Sequence, residues 1–427
     1  MFDIRALREN FDETKRLLSK RGEDYNLERF FALDAKRKEL LHKSEEMKAK
    51  QNAASKQIPQ LKKEGKDTSE IMAQMKKLSE DIKALEPEVR DVDEKLNDFL
   101  LDLPNVPHES VPEGLSDADN VVVRTWGAPT KFSFEPKPHW ELGEELGIFD
   151  PTTAVKIAGS RFTMLRGLGA NLERALINFM LDRHTAHGYE EIMPPYIANR
   201  KSMTGTGQLP DKEGMLYRLE GTDYFLIPTA ETPLTNIHQD DIIDGKKLPV
   251  LFTAYSPSFR KEAGAAGRDT RGLIRMHQFN KVEIFKLSRP EDSYDELEKL
   301  TADAEDILRQ LGLPYNVTNL CAADLGFSNA KTYDLNVWMP SYNRYVEISS
   351  CSNFEAFQAR RSGIRFKDGA GAKPIYAHTL NGSGLAASRA TAAILENFQT
   401  EDGKVIVPDA LVPYMGGIRE ITNTKRN

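Results

Sequence analysis

Residues 250–287 read VLFTAYSPSFRKEAGAAGRDTRGLIRMHQFNKVEIFKL, and this stretch decides the fold. Val250 to Tyr255 and Val282 to Leu287 are rich in β-branched and aromatic residues, so both are predicted strands. Between them runs a glycine-rich segment, Ala263 to Gly272. Phe259-Arg260-Lys261-Glu262 stands at its first base, and Arg275 to Glu283 at its second. Two strands joined in this way can grip a phosphate with Arg and an amino group with Glu. Alone, an Arg-x-Glu is more often a surface ion pair, so its weight comes from what accompanies it. No G-x-G-x-x-G follows a strand and no G-x-x-x-x-G-K-[ST] occurs. Strands and helices do not alternate in doubly wound order, so a nucleotide bound here needs another scaffold.

Three clusters accompany it. Tyr345 to Cys351 is strand-like, and Glu347 and Ser350 offer oxygen ligands suited to Mg²⁺; otherwise this is an ordinary alternating strand. Asn381-Gly382-Ser383-Gly384 leads through Leu385 to Arg389 and an apolar helical run. Its glycines would let a ligand approach a strand–helix junction closely. Pro228-Thr229-Ala230-Glu231 can hydrogen-bond an amino-acid ammonium, or simply make a turn and a helix cap. Helices are predicted over Asn171–His184 and, with an apolar stripe, over Pro290–Leu311.

The first hundred residues are a different material. They carry 22 basic and 22 acidic side chains, although the whole 427-residue chain is 29% charged with a net charge of −7. From Ile71 the apolar positions run Met75, Leu78, Ile82, Leu85, Val89, Val92, Leu96 and Phe99, in alternating steps of four and three. Upstream, Leu33, Leu40, Met47, Ala54 and Leu61 recur every seven residues, with Arg37, Ser44 and Gln51 thinning the seam. Gly65 with Thr68 or Ser69 marks a turn between two long helices, so an antiparallel hairpin is predicted. Pro59 is expected to end the first helix early, and Pro87 to kink the second. Residues 36–63 hold nine Lys/Arg against three Asp/Glu, whereas 66–98 hold six against ten. One helix is thus a basic stripe without aromatics, suited to an RNA backbone and its shape rather than to base stacking. The proline-rich stretch from Leu103 to Gly114 reads as a linker.

Two cysteines, Cys321 and Cys351, cannot build a disulfide framework or a four-cysteine zinc site. The start, Met1-Phe2-Asp3-Ile4-Arg5, lacks the apolar segment of a signal peptide, and no run approaches the length of a membrane span. A cytoplasmic protein without a membrane partner is expected.

In order along the chain, Gly188 to Pro195, the Arg-x-Glu stretch and the Gly-x-Gly junction ending at Arg389 resemble the three motifs of class II aminoacyl-tRNA synthetases. The chain further resembles the bacterial-type seryl-tRNA synthetase family over nearly its whole length. The residues that carry this are Met1–Arg5 with the hairpin, Asn105-Val106-Pro107-His108, Gly159-Ser160-Arg161-Phe162, Thr229-Ala230-Glu231, Phe259 to Gly264, His277-Gln278-Phe279, Glu347 to Phe354, and Asn381 to Gly384. The resemblance implies an α+β fold: an N-terminal helical arm, and a catalytic domain with a mixed, mostly antiparallel sheet flanked by helices. The implied domains are 1–103 with the hairpin over about 31–99, a linker over 104–120, and a catalytic domain over 121–427.

It also implies the activity: ATP-dependent attachment of L-serine to serine tRNA through a seryl-adenylate, with selenocysteine tRNA as a further substrate. Arg260 and Arg389 are the catalytic residues it implies, on the α- and γ-phosphates. Lys261, Glu262, Phe279, Glu347, Ile348, Ser349 and Ser350 join them as ATP-binding residues. Thr229, Ala230, Glu231, Arg260, Glu283, Asn381 and Ser383 bind serine. Which of Glu231 and Glu283 reads the hydroxyl stays open. Mg²⁺ falls to Glu347 and Ser350, and no zinc is expected. The partners implied are tRNA, held by the basic helix 36–63, and a second copy of the chain. Asn336 departs from the Glu that relatives often carry.

Overall fold

The computed structural model describes residues 1–262 and 271–423. Residues 263–270 of the glycine-rich segment therefore lie outside the described residues. The chain divides into two compact units: Met1–Ser19 with Glu23–Pro104, and Lys20–Gly22 with Asn105 onward.

In the first unit the heptads fold into a hairpin of α1 (Glu28–Lys63) and α2 (Ser69–Asp102). At 1.5 Å per residue each is roughly 50 Å long. Gly65 closes α1 with a positive φ of 67°. Its N–H donates to the Lys62 carbonyl at 3.2 Å, and the Lys66 N–H to the Leu61 carbonyl at 3.0 Å. Thr68 occupies the N-cap of α2 without a side-chain bond, and the Asp67 carboxylate accepts the Ser69 N–H instead, at 2.9 Å. The seam faces inward as predicted: Ile82, Leu85, Val92, Leu96 and Phe99 are buried, as are Leu40 and Ala54. At the thin positions Arg37, Ser44 and Gln51 are half-buried, and Arg37 reaches Asp93 at 2.5 Å.

Neither proline ends its helix. Pro59 and Pro87 both lie inside continuous helices, on exposed positions. Each removes one N–H at an exposed position of its helix, where solvent can replace the lost bond. Leu85 packs against Leu40 and Val92 in the middle of the hairpin. Leu85→Ala is expected to cost the arm about 2–4 kcal/mol. Hydrogen exchange should show faster opening along 33–99 and unchanged protection in the second unit.

The second unit is built on an eight-stranded sheet among the described residues. In chain order its strands are β1 (Val121–Trp126), β2 (Glu190–Glu191), β3 (Val250–Phe259), β4 (Gln278–Ser288), β5 (Tyr315–Asn319), β6 (Lys331–Met339), β7 (Arg344–Asn353) and β8 (His378–Ala386). The spatial order is β1-β5-β6-β7-β8-β4-β3-β2. All neighbours are antiparallel except β2 on β3. The two strands of residues 250–287 are thus an antiparallel pair, with Phe259 opposite Gln278 at the open end.

Side chains alternate along each strand, so one face of the sheet meets the main core, while the other packs Phe285 and Leu287 into a second cluster with Phe252 and Leu234 and is polar toward Phe279; this second face is called the free face below. Val282 and Ile284 of β4, Leu335 and Val337 of β6, and Ile348 and Cys351 of β7 are buried in one cluster. Covering them are α3 (Leu168–Ala186), α5 (Ser293–Gln310) and α7 (Ala387–Asn397), through residues such as Leu172, Leu300 and Ile394. The helices predicted at 171–184 and 290–311 are the first two of these.

Candidate active site

The free face of the sheet collects the predicted residues by register alone. Phe279, Lys281 and Glu283 stand at alternate positions of β4, and Ser383 of β8 lies directly opposite Glu283. Asn381 is two residues before Ser383, on the same face. On β7 a bulge intervenes: Glu347 faces Asn336 and Ser349 faces Leu335, leaving Ile348 extra. Without the bulge, Glu347 and Ser350 would point to opposite sides. With it, both share the free face with Asp334, the cross-strand partner of Ser350. The same bulge turns Ile348 and Ser349 to the core. Ile348 is 1% exposed, and the Ser349 hydroxyl donates to the Ser383 carbonyl at 2.6 Å. Any contact these two make with a ligand falls to their backbone.

The glycines of the Gly-x-Gly junction have a different reason from the expected one. A Cβ at Gly382 would meet the Cys351 sulfur at 2.7 Å and Leu300 at 2.8 Å. One at Gly384 would meet the His184 ring at 2.3 Å. Both point to the core face, where they let α5 and α3 approach the sheet. His184 donates from Nε2 to the Gly384 carbonyl at 2.5 Å, and burial pushes its pKa down to about 4, so the ring is neutral. The junction is thereby held from behind, and α7 starts immediately after it with Arg389 in its first turn.

Cations crowd the open end. The Arg260 guanidinium lies over the Phe279 ring at 5.2 Å and donates from Nε to the Pro228 carbonyl at 3.3 Å. Arg389 donates from Nη1 to the Glu347 carbonyl at 2.7 Å and sits 3.4 Å from its carboxylate. Arg389 holds the Glu347 carboxyl below its usual range against the effect of burial, with help from Arg260 and Arg275. Burial, reinforced by Glu347, raises Asp334 well above its usual range. Glu262, with φ +45°, is 6% exposed and pairs with Arg275 at 3.3 Å. Lys261 turns aside, with its ammonium 5.9 Å over the Tyr217 ring.

Beneath this end is a polar pocket. Thr229 and the fully buried Ala230 lead into α4 (Glu231–Thr235). The Thr229 hydroxyl donates to Glu283 Oε2 at 3.0 Å. It accepts the Glu231 N–H at 3.2 Å and a Lys281 N–H at 2.7 Å. Lys281 also forms an ion pair with Glu283. Glu231 Oε1 accepts from Gln358 Nε2 at 2.5 Å, and Gln358 lies in α6 (Phe357–Ser362). Burial, reinforced by the Glu283 charge, pushes Glu231 up to about 7, while Gln358, Lys281 and Asn381 act in the opposite direction. Lys281 and Gln358 escaped the sequence reading. Lys281 was legible, since it alternates with Phe279 and Glu283 on one strand. Gln358 is joined to Glu231 across 127 residues, and nothing local announces it.

An α+β sheet of this topology, with Arg at the open end of two antiparallel strands and Arg at a strand–helix junction, is the class II synthetase core. Residues 217–398 match the tRNA synthetase class II core domain (G, H, P, S and T), and residues 1–107 match the seryl-tRNA synthetase N-terminal domain. The chain is 60% identical to a serine–tRNA ligase of Geobacillus kaustophilus, covering 97% of this chain and 99% of that one. It is 58% identical to that of Pelotomaculum thermopropionicum, over 99% and 100%. Among solved structures, the seryl-tRNA synthetase of Pyrococcus horikoshii complexed with ATP is 40% identical, with a TM-score of 0.93 over all of both chains. Prolyl-tRNA synthetase of Giardia lamblia, at 15% identity and TM-score 0.55, shares the fold. The protein is therefore a class II aminoacyl-tRNA synthetase. It belongs to the seryl-tRNA synthetase family, and its reaction joins serine to tRNA.

The raised Glu231 has a consequence for stability. Its usual value is 4.5. Between pH 4.5 and about 7 the folded chain keeps a proton that the unfolded chain releases, so stability falls as pH rises. The full penalty, about 3 kcal/mol, applies above pH 7. Glu231→Gln is expected to be no more stable than the parent at pH 4.5 and more stable by up to about 3 kcal/mol at pH 8. Denaturant titrations at the two pH values measure the gap.

Proposed function

We propose that the free face binds ATP at its open end and serine in the polar pocket beneath, and that residues 1–103 hold the tRNA. The observation that carries this is the single row Phe279, Lys281 and Glu283, which sets a ring, a cation and a carboxylate on one strand face with their Cα atoms about 7 Å apart in succession. Phe279 stacks the adenine once Arg260 leaves the ring for the α-phosphate. Glu262 reads the adenine amino group. Arg389 exchanges Glu347 for the γ-phosphate. Lys261 adds positive charge at the rim of the ATP site.

Glu347 and Ser350 offer a carboxylate and a hydroxyl on one face, which fits Mg²⁺, an ion that takes few protein ligands and completes its shell with phosphate and water. When bound there, it neutralises phosphate charge. Among the described residues no cluster of three or more His, Cys, Asp or Glu is arranged to hold a metal unaided.

In the pocket, Glu231 lacks a cationic partner of its own and takes the ammonium of serine. Glu283 accepts the serine hydroxyl, with Asn381 and Ser383 at its side. Thr229 and Ala230 frame the entrance, and Arg260 steers the substrate carboxylate. That carboxylate is ionised at neutral pH and needs no base. Its oxygen attacks the α-phosphorus in line, a P–O bond forms, and the bond to the bridging oxygen breaks to release pyrophosphate. Catalysis is positioning plus cationic stabilisation of the charge that builds on phosphate. The 3′ end of the tRNA then attacks the adenylate carbonyl and expels AMP.

The arm suits tRNA. Eight of the nine basic residues of the 36–63 stripe are exposed, and Arg37 alone turns inward to Asp93. Serine tRNA, and selenocysteine tRNA beside it, is the partner. The active form is a homodimer in the cytoplasm. Supporting the dimer is a cavity of about 570 Å³ on the flank of α3, lined by Ile177, Ile192, Met193 and Tyr255, with Met193 89% exposed. No helix among the described residues is long and apolar enough to cross a membrane.

Pyrophosphate exchange should depend on serine and on no other amino acid. Arg260→Ala should abolish it while leaving the fold intact by circular dichroism. Replacing residues 36–98 by a short linker should preserve exchange and abolish charging of serine tRNA. Exchange with another amino acid, or full charging without the arm, would refute the reading. Sedimentation should give about twice the 48.1 kDa chain mass, and Met193→Asp should shift it toward one.

A further inference from the structure

Glu231 and Glu283 are 8% and 1% exposed and lie close enough that the charge of Glu283 acts on Glu231. Two buried carboxylates cannot both stay ionised without a cation, because burial and mutual repulsion each favour protonation. The cation that reaches them is Lys281, itself 6% exposed. Its ammonium contacts Glu283 Oε2 and donates to Thr229 Oγ1 at 2.7 Å. Thr229 is then saturated: its one proton goes to Glu283, and its lone pairs take Lys281 and the Glu231 N–H. The hydroxyl has nothing left for a substrate and works as a joint between the two carboxylates. Both Lys281 and Thr229 act on the same oxygen, Oε2, of Glu283. The other oxygen, Oε1, is the one left for a ligand.

We propose that Lys281 is the positioning residue that sets specificity for serine, by pairing with Glu283 and clamping it through Oε2 so that Oε1 awaits a hydroxyl donor. This rests on the serine-pocket reading above. A charged, immobile acceptor is strongly stabilised by the serine hydroxyl and left unpaired by alanine, which is how a buried polar group rejects an analogue one hydroxyl short. With Lys281 gone, Glu283 loses the contact that fixes Oε2, and a carboxylate free to turn discriminates less sharply between a ligand with a hydroxyl and one without. Lys281 thus acts through Glu283 and touches no reacting atom. Its loss should be felt in the choice between amino acids, not in the handling of ATP.

The test measures pyrophosphate exchange with serine and with alanine for the full chain and for Lys281→Met, Lys281→Arg and Glu283→Gln. For Lys281→Met the ratio of kcat/KM for serine over alanine should fall about tenfold or more, with KM for ATP changed less than about twofold. Lys281→Arg should restore part of the ratio. The double variant Lys281→Met with Glu283→Gln removes both charges and keeps the pocket foldable; its ratio should match that of Glu283→Gln alone. An unchanged ratio in Lys281→Met, or equal losses for serine, alanine and ATP, would overturn the proposal. If Lys281→Met does not fold, a double variant more selective than Glu283→Gln would overturn it. The pocket reading fails separately: Glu283→Gln would then leave the KM for serine unaltered.

Discussion

Everything in the catalytic unit depends on the pairing of β4 between β3 and β8. A strand buried in the middle of a sheet has no freedom of register, because a slip by one residue would move Val282 and Ile284 into the cleft and Lys281 and Glu283 into the core. The cost of burying those two charges without partners, together with the apolar area lost, fixes the register more firmly than any loop could. The hydrophobic core on one face therefore determines the spacing of the functional groups on the other. Helices α3 and α5 approach closely enough to enforce this only because Gly382 and Gly384 carry no side chain.

Much of this was legible before any coordinates. β-Branched and aromatic enrichment in 250–287 marked two strands, and the heptads marked the hairpin, because both signals are local. Three features were not. The Gly-x-Gly run suggests close ligand approach, but whether a missing Cβ faces a ligand or a helix depends on the side of the sheet, which sequence does not state. Glu347 and Ser350, three apart, should face opposite ways in a regular strand, and only the bulge at Ile348 unites them. Pro59 removes one backbone donor, but it stands at an exposed position where the helix runs on to Lys63. Each miss concerns tertiary surroundings that a linear pattern cannot encode.

Without ligands, the cationic groups of the cleft lean on the protein itself. Arg260 covers Phe279, and Arg389 holds Glu347. On the proposed reading, each of these contacts is of the kind a nucleotide would replace: a π face for adenine, an anion for phosphate. The resting contacts keep the side chains ordered near their working positions, so binding exchanges one partner for another instead of ordering a free chain. The arm follows the opposite rule. Its lysines are exposed along α1, which suits a polyanion that binds by displacing counterions. The net charge of −7 conceals this, since the positive charge is confined to one helix and one cleft.

A carboxyl shifted to about 7 in a cleft usually marks a general acid or base. Glu231 is better explained otherwise. The attacking carboxylate of an amino acid is already ionised at that pH, and pyrophosphate leaves as a stabilised anion, so the adenylation step has no proton for Glu231 to move. Its pKa is high because it is buried and faces the Glu283 charge, with Gln358, Lys281 and Asn381 only partly offsetting both. A site one positive charge short is a site shaped for an ammonium. On the proposed reading the shift reflects recognition: a buried carboxylate short of positive charge suits an ammonium.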